Sequence, residues 1–190
     1  MKAPDEIETA RLILRRPQMS DAAAIFAAYA SDPEVTRFLG WPRHRSVHDT
    51  RSFLRFSASE WEHWPAGPYV ILLRGDRRLI GSTGLGFQSR EVAVTGYVLA
   101  RAEWGHGYAT EALAAMVDLA RTLGVARLFA LCHPDHGPSQ HVLEKCGFLL
   151  EPAAARPVEF PNLAAAQQQA AFCYALPLHG VGAAARAPAG

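Results

Sequence analysis

Arg101-Ala-Glu-Trp-Gly-His-Gly-Tyr-Ala-Thr-Glu-Ala112 is the stretch that decides how the chain reads. A strand-like apolar run, Val92 to Leu99, ends just before it. A stripe at helical spacing (Ala109, Ala112, Leu113, Met116, Val117, Ala120) begins inside it. Gly105 and Gly107 flank His106, and without Cβ atoms they let the backbone turn sharply and expose successive N–H groups. The helix start adds the positive end of its dipole; Glu111 suits that first turn and Gly124 supplies a stop. Strand, glycine turn and helix start in this order predict a pocket for the anionic part of a phosphorylated cofactor. A G-x-G also occurs in plain tight turns, so the surrounding chain has to decide.

Outward toward the N-terminus, Val92–Leu99 closes a predicted meander of three strands with Tyr69–Arg74 and Leu79–Phe87. The joints at Gly75-Asp76-Arg77 and Gln88–Glu91 are short enough for hairpins. Gly81, Gly84 and Gly86 inside the second strand predict a bulge or a close backbone approach. Two helices precede the meander: Ala22–Ala30, capped by Ser20-Asp21 and ended at Ser31-Asp32-Pro33, and one from Ser46 toward Trp64. Phe53, Leu54, Ser57, Trp61 and Trp64 share a side of the second helix. Arg11-Leu-Ile-Leu-Arg-Arg16, stopped by Pro17, is the opening strand.

Toward the C-terminus, Leu128–Cys132 reads as a buried strand. Its place after strand and helix predicts parallel pairing with Val92–Leu99. His133–Pro138 is a loop, Ser139–Lys145 a short helix closed by Gly147, and Phe148–Glu151 and Ala171–Leu176 two last strands. Ala153–Ala170 is rich in Ala, Gln and Pro and gives no clear pattern. The expected class is α+β, with residues 1–178 as one domain and 179–190 as a disordered Gly/Ala/Pro tail.

Bulk properties remove several classes of function. A chain of 190 residues, 49% hydrophobic and 19% charged with net charge +1, holds a full core and no field for nucleic acid. No apolar run approaches the roughly 20 residues of a membrane span. No apolar signal region follows Lys2, and Cys132, Cys146 and Cys173 form no C-x-x-C, which suits a cytoplasmic protein. No G-x-x-x-x-G-K-[ST] follows any strand, which removes the P-loop reading. Cys132, His133, His136, His141 and Cys146 lie close in sequence, but His141 and Cys146 do not share a helix face, so no metal site is expected.

The layout and local motifs resemble the GNAT superfamily of N-acetyltransferases, most of all its ribosomal-protein N-terminal acetyltransferase branch. The likeness covers about residues 8–178. It rests on Glu8-Thr-Ala-Arg-Leu-Ile-Leu-Arg15, Ile80-Gly81, Gly96-Tyr97, Trp104-Gly-His-Gly-Tyr-Ala-Thr-Glu-Ala112 and Ser139-Gln-His-Val-Leu-Glu-Lys-Cys-Gly-Phe148. The resemblance implies a mixed, mostly antiparallel sheet of about six to seven strands, splayed at its centre, with helices on both faces. It implies acetyl-CoA as cosubstrate and a primary amine as acceptor, attacked directly in a ternary complex, with no metal.

On this resemblance Trp104, Gly105, His106, Gly107, Tyr108, Ala109 and Thr110 cradle the cofactor diphosphate. Val98 and Leu99 pair with its pantetheine arm, and the thioester lies between Tyr97–Leu99 and Leu131–His133. Ser139 matches a serine that in some relatives protonates the departing thiolate; a helix N-cap is its other reading. Tyr97 is a second catalytic candidate, with core packing as the plainer role. His136 stands where the family commonly carries Asn. Val94 and Thr95 stand where many relatives carry Glu, so the general base is unassigned, with a water chain or His133 open. Those two departures also leave open a CoA-binding sensor without chemistry. Phe38 and Trp41 are the acceptor-side candidates, and Arg43, His44 and Arg45 would suit a carboxylate-bearing acceptor. Protein N-terminus and small-molecule amine both stay open, as does a homodimer.

Overall fold

The structure, a computed structural model, describes residues 1–163 and 168–178. The expected tail at 179–190 lies outside them. The first strands are β1 (Glu6–Glu8), β2 (Leu12–Arg15), β3 (Pro68–Leu73), β4 (Leu79–Phe87) and β5 (Val92–Leu99). Beyond these come β6 (Arg127–Cys132), β7 (Leu149–Leu150), β8 (Arg156–Glu159) and β9 (Gln168–Pro177). They form one sheet in the order β1-β2-β3-β4-β5-β6-β9-β7, with β8 on β9. All pairings are antiparallel except β5 with β6. Short strands at the sheet's margins, β1 and β8 among them, carry the count past six or seven; three or four residues leave no alternation to read.

Alternation along the strands sorts the two faces. Leu12, Leu14, Tyr69 and Ile71 point to the face covered by α4 (Tyr108–Thr122) and α5 (Gly137–Lys145). Ile13, Val70, Leu72 and Val98 point to the other face. There they meet α1 (Ala22–Ile25), which runs on as a wide π turn through Phe26–Ala30, and α3 (Val47–His63). Asp32 does more than stop the first helix: its carboxylate caps α2 (Pro33–Thr36), accepting from the amides of Glu34 and Val35. The glycines of β4 mark a close approach, as expected. A Cβ on Gly81 would stand 2.2 Å from the Val98 carbonyl oxygen, and the β3–β4 register shifts beside it.

The feature that positions the site is the short β5–β6 ladder. Pairing runs only from Val92 with Arg127 to Val94 with Phe129. Beyond it β5 continues on β4 and β6 on β9, so the sheet opens between Thr95–Leu99 and Ala130–Cys132. The Ala100 amide bonds Ile80 O at 2.7 Å, so antiparallel alternation turns the backbone of Val98 toward β4 and that of Tyr97 and Leu99 toward the opening.

Candidate active site

The glycine loop stands at the end of β5, above the opening. Gly105 and Gly107 both have φ +79°, a left-handed conformation in which an L side chain is strained. Gly107 is the N-cap of α4, with no side chain capping the helix. Among the described residues, the amides of Gly105, His106, Gly107, Tyr108, Ala109 and Thr110 donate to no protein acceptor. Successive free amides at left-handed glycines, leading into a helix start, make a nest for an anion. Trp104 is half exposed and its indole N–H donates to the Leu99 carbonyl at 3.0 Å, fastening the loop to the end of β5.

Two ion pairs hold this loop from below. Glu103, almost fully buried, takes a 2.8 Å hydrogen bond from Arg78 at the start of β4. Glu111 accepts from the Thr9 hydroxyl at 2.6 Å, the Arg11 amide at 2.8 Å and Arg11 Nε at 2.7 Å. Burial works against the Glu111 charge, but these donors outweigh it and hold the carboxyl below its ordinary range. The sequence reading placed Glu111 on the helix dipole alone; its partners lie about a hundred residues away.

Across the opening, Tyr97 reaches from β5 to α5. Its hydroxyl lies 2.9 Å from Ser139 Oγ and donates to the Ser139 carbonyl at 3.0 Å. Burial pushes the phenol well above its ordinary range against the opposing bond to Ser139, so it stays protonated. Tyr97 packs against the core as well, so both of its expected roles have a structural basis. Ser139 is not the helix N-cap: α5 begins at Gly137, Pro138 fills its first turn and His136 occupies the cap. Its hydroxyl is thereby released to face Tyr97 and Cys132. Burial raises the Cys132 thiol against the lowering effect of the Ser139 hydroxyl beside it, which keeps it un-ionised.

Phe38, expected on the acceptor side, packs among rings. Its ring stacks on His133 at 4.7 Å and lies 5.0 Å from the His136 ring, while Phe160 meets His133 edge-on at 4.7 Å. His133 is buried, and its Nδ1 accepts the Asp135 amide at 3.0 Å, which places the ring proton of the neutral form on Nε2. That arrangement argues against His133 as the base. Burial, and then its neighbour His133, lower the basicity of His136. Trp41 packs beside the α1–α3 core and against His44, and its carbonyl accepts from Asn162 at 2.9 Å. Asn162 also bonds Thr36 O and the Arg43 amide, tying the loop after α2 to the chain after β8. Beside this junction a cavity of about 310 Å³ is lined by Thr36, Arg43, Arg45 and Asn162 among others. Sequence reasoning had not noticed Asn162, because a lone Asn in an Ala/Pro stretch carries no spacing signal.

Val98 does not fit its expected place beside the pantetheine arm. Its backbone faces β4 and its side chain the α1–α3 core, whereas Tyr97 and Leu99 turn their backbone toward the opening, the Leu99 carbonyl already taken by the Trp104 indole. Among the described residues no group of His, Cys, Asp or Glu is arranged to hold a metal, and no helix is long and apolar enough to cross a membrane.

The sequence matches the family model described as the acetyltransferase (GNAT) domain over residues 11–149. The chain belongs to that family, a class of acyltransferases that draw on acetyl-CoA. The uncharacterized N-acetyltransferase YoaA of Bacillus subtilis is 32% identical over 148 residues, covering 76% of this chain and 83% of that one. A structure of the ribosomal L7/L12 α-N-protein acetyltransferase RimL with coenzyme A superposes with TM-score 0.76 at 21% identity, covering 90% of this chain and 97% of that one. The microcin C7 self-immunity acetyltransferase MccE, in complex with acetyl-CoA and AMP, superposes with TM-score 0.77 at 18% identity over 92% and 97% of the two chains. These superpositions show the splayed GNAT fold.

Proposed function

We propose that this acetyltransferase moves the acetyl group of acetyl-CoA onto a primary amine by direct attack in a ternary complex. The observation that carries this reading is the row of unpartnered amides from Gly105 to Thr110, set above an opened sheet from which Tyr97 reaches Ser139 on α5. The residues fit the cosubstrate: the amides and helix start suit a diphosphate, and the gap beside Tyr97 and Leu99 suits an extended amide-bearing arm. Trp104 and Tyr108 flank the nest in sequence.

Acetyl-CoA supplies an activated acyl thioester. This chain's residues orient it, hold the acceptor beside it and manage one proton. Backbone N–H groups facing the gap stabilise negative charge developing on the acyl oxygen, and close placement of amine and acyl carbon supplies much of the rate. Ser139 Oγ gives its proton to the departing sulfur and takes one from the Tyr97 hydroxyl, and the proton shed by the attacking amine returns to Tyr97 through solvent, which closes the relay. Cys132 does not act as an acyl carrier, because its buried thiol stays protonated.

The acceptor enters over Phe38, with Trp41 shaping the same loop from behind. Both a protein N-terminus and a small amine fit such a mouth, and Arg43 and Arg45 favour an acceptor carrying a carboxylate. The test is thiol release from acetyl-CoA with a panel of amines, matched pairs with and without a carboxylate included. Turnover on at least one primary amine, with the carboxylate member of a pair preferred, is the expected result. CoA binding without turnover on any amine would instead mark the chain as a sensor.

A further inference from the structure

We propose that Arg11 is the positioning residue that aims the diphosphate nest, a role resting on the acetyl-CoA reading above. The guanidinium is fixed at three points. Nε bonds Glu111 Oε2 at 2.7 Å, Nη1 donates to the His106 carbonyl at 2.8 Å, and the plane lies 4.7 Å over the Tyr108 ring. The Arg11 main-chain amide is held by the same carboxylate at 2.8 Å, so backbone and side chain are anchored together.

A trans peptide unit points its C=O and the following N–H in opposite directions. Pinning the His106 carbonyl to Arg11 therefore turns the Gly107 N–H to the opposite side. Gly107 at φ +79° then adds the next amide, that of Tyr108, to the same concave row. Without this bond the His106–Gly107 peptide is free to rotate as a unit, because glycine on one side opposes no such flip. A flipped plane would present a carbonyl to the diphosphate.

Charge supports the same role. Glu111 lies in the first turn of α4, where an unpaired carboxylate would repel an anionic ligand. Arg11 neutralises it and leaves Nη2 about 3.5 Å from where a Gly107 Cβ would stand, close against the turn. Thr9 completes the clamp by bonding Glu111 at 2.6 Å, so the opening segment of the chain braces the cofactor loop on α4.

The experiment compares acetyl-CoA with S-acetylpantetheine, which lacks the diphosphate, on wild type, Arg11→Met and Arg74→Met. Arg74 is a nearby exposed arginine paired with Glu8 and serves as the charge control. Arg11→Met is expected to lower the ratio of kcat/KM for acetyl-CoA over S-acetylpantetheine by about 10- to 50-fold, the size of one lost charge-assisted tether. The loss should reside in KM for acetyl-CoA, with a parallel rise in the calorimetric Kd for CoA; Arg74→Met should keep the wild-type ratio. An Arg11→Met enzyme with the wild-type ratio, or one that loses both donors equally, overturns the assignment. Wild-type protein that binds CoA no better than it binds pantetheine overturns the parent reading itself.

Discussion

Gly107→Val is expected to weaken CoA binding by roughly 10²–10⁴-fold, the loss of about two charge-assisted amide–phosphate hydrogen bonds at 1.5–3 kcal/mol each. Gly107 sits at φ +79°, and a β-branched residue is a steric outlier there. The backbone would escape by rotating toward negative φ, which swings the Gly107 and Tyr108 amides off their shared target. A matched control separates this effect from strain. Gly124 closes the far end of the same helix at φ +78°, with open space around its would-be side chain. Gly124→Val should lower the melting temperature by a similar amount while leaving the calorimetric Kd for CoA unchanged. Equal weakening by both variants would show that general destabilisation, and not the aim of the loop's amides, accounts for the loss.

Ser139→Ala and Tyr97→Phe are each expected to lower kcat by about 100-fold, the lower end of general-acid effects, with little change in KM for acetyl-CoA. Two hydroxyls 2.9 Å apart that pass one proton act as a unit, so the double variant should be no worse than the worse single one. Steady-state kinetics on all three variants decide it. Fully additive losses would mean separate roles, and unchanged kcat in Ser139→Ala would leave the sulfur's proton to solvent.

Much of the frame was legible because its signals are local. A left-handed glycine pair, an apolar stripe at helical spacing and hairpin-length joints each act within a few residues. β4, β5 and the stripe on α4 accordingly match their expected places. The parallel crossover to β6 followed from chain order and handedness alone. What stayed hidden depends on contacts between distant segments. Arg11 and Glu111 each looked like an ordinary solvated charge, and only the fold joins them. Asn162 tying three backbone groups between Thr36 and Arg43 is of the same kind.

The Ser139 cap is a different kind of miss. Serine's preference for the cap was weighed, but Pro138 in the first turn was the stronger boundary signal and moved the helix start back to Gly137. Val98 stands beside the pantetheine arm on the family resemblance alone. In a strand, however, adjacent residues turn their hydrogen-bonding groups to opposite sides, so register decides which faces the opening. β8, four residues long with Pro157 inside it, is too short to show alternation, and the Ala/Gln-rich stretch after it gives no apolar period.

The central claim is that the free amides from Gly105 to Thr110 hold the cosubstrate's diphosphate. The direct measurement is a crystal structure of this protein with bound CoA. The account predicts diphosphate oxygens about 2.7–3.2 Å from several of those nitrogens, with the His106 carbonyl still turned to Arg11. A diphosphate seated elsewhere, or a loop whose amides have closed onto protein carbonyls, would contradict it.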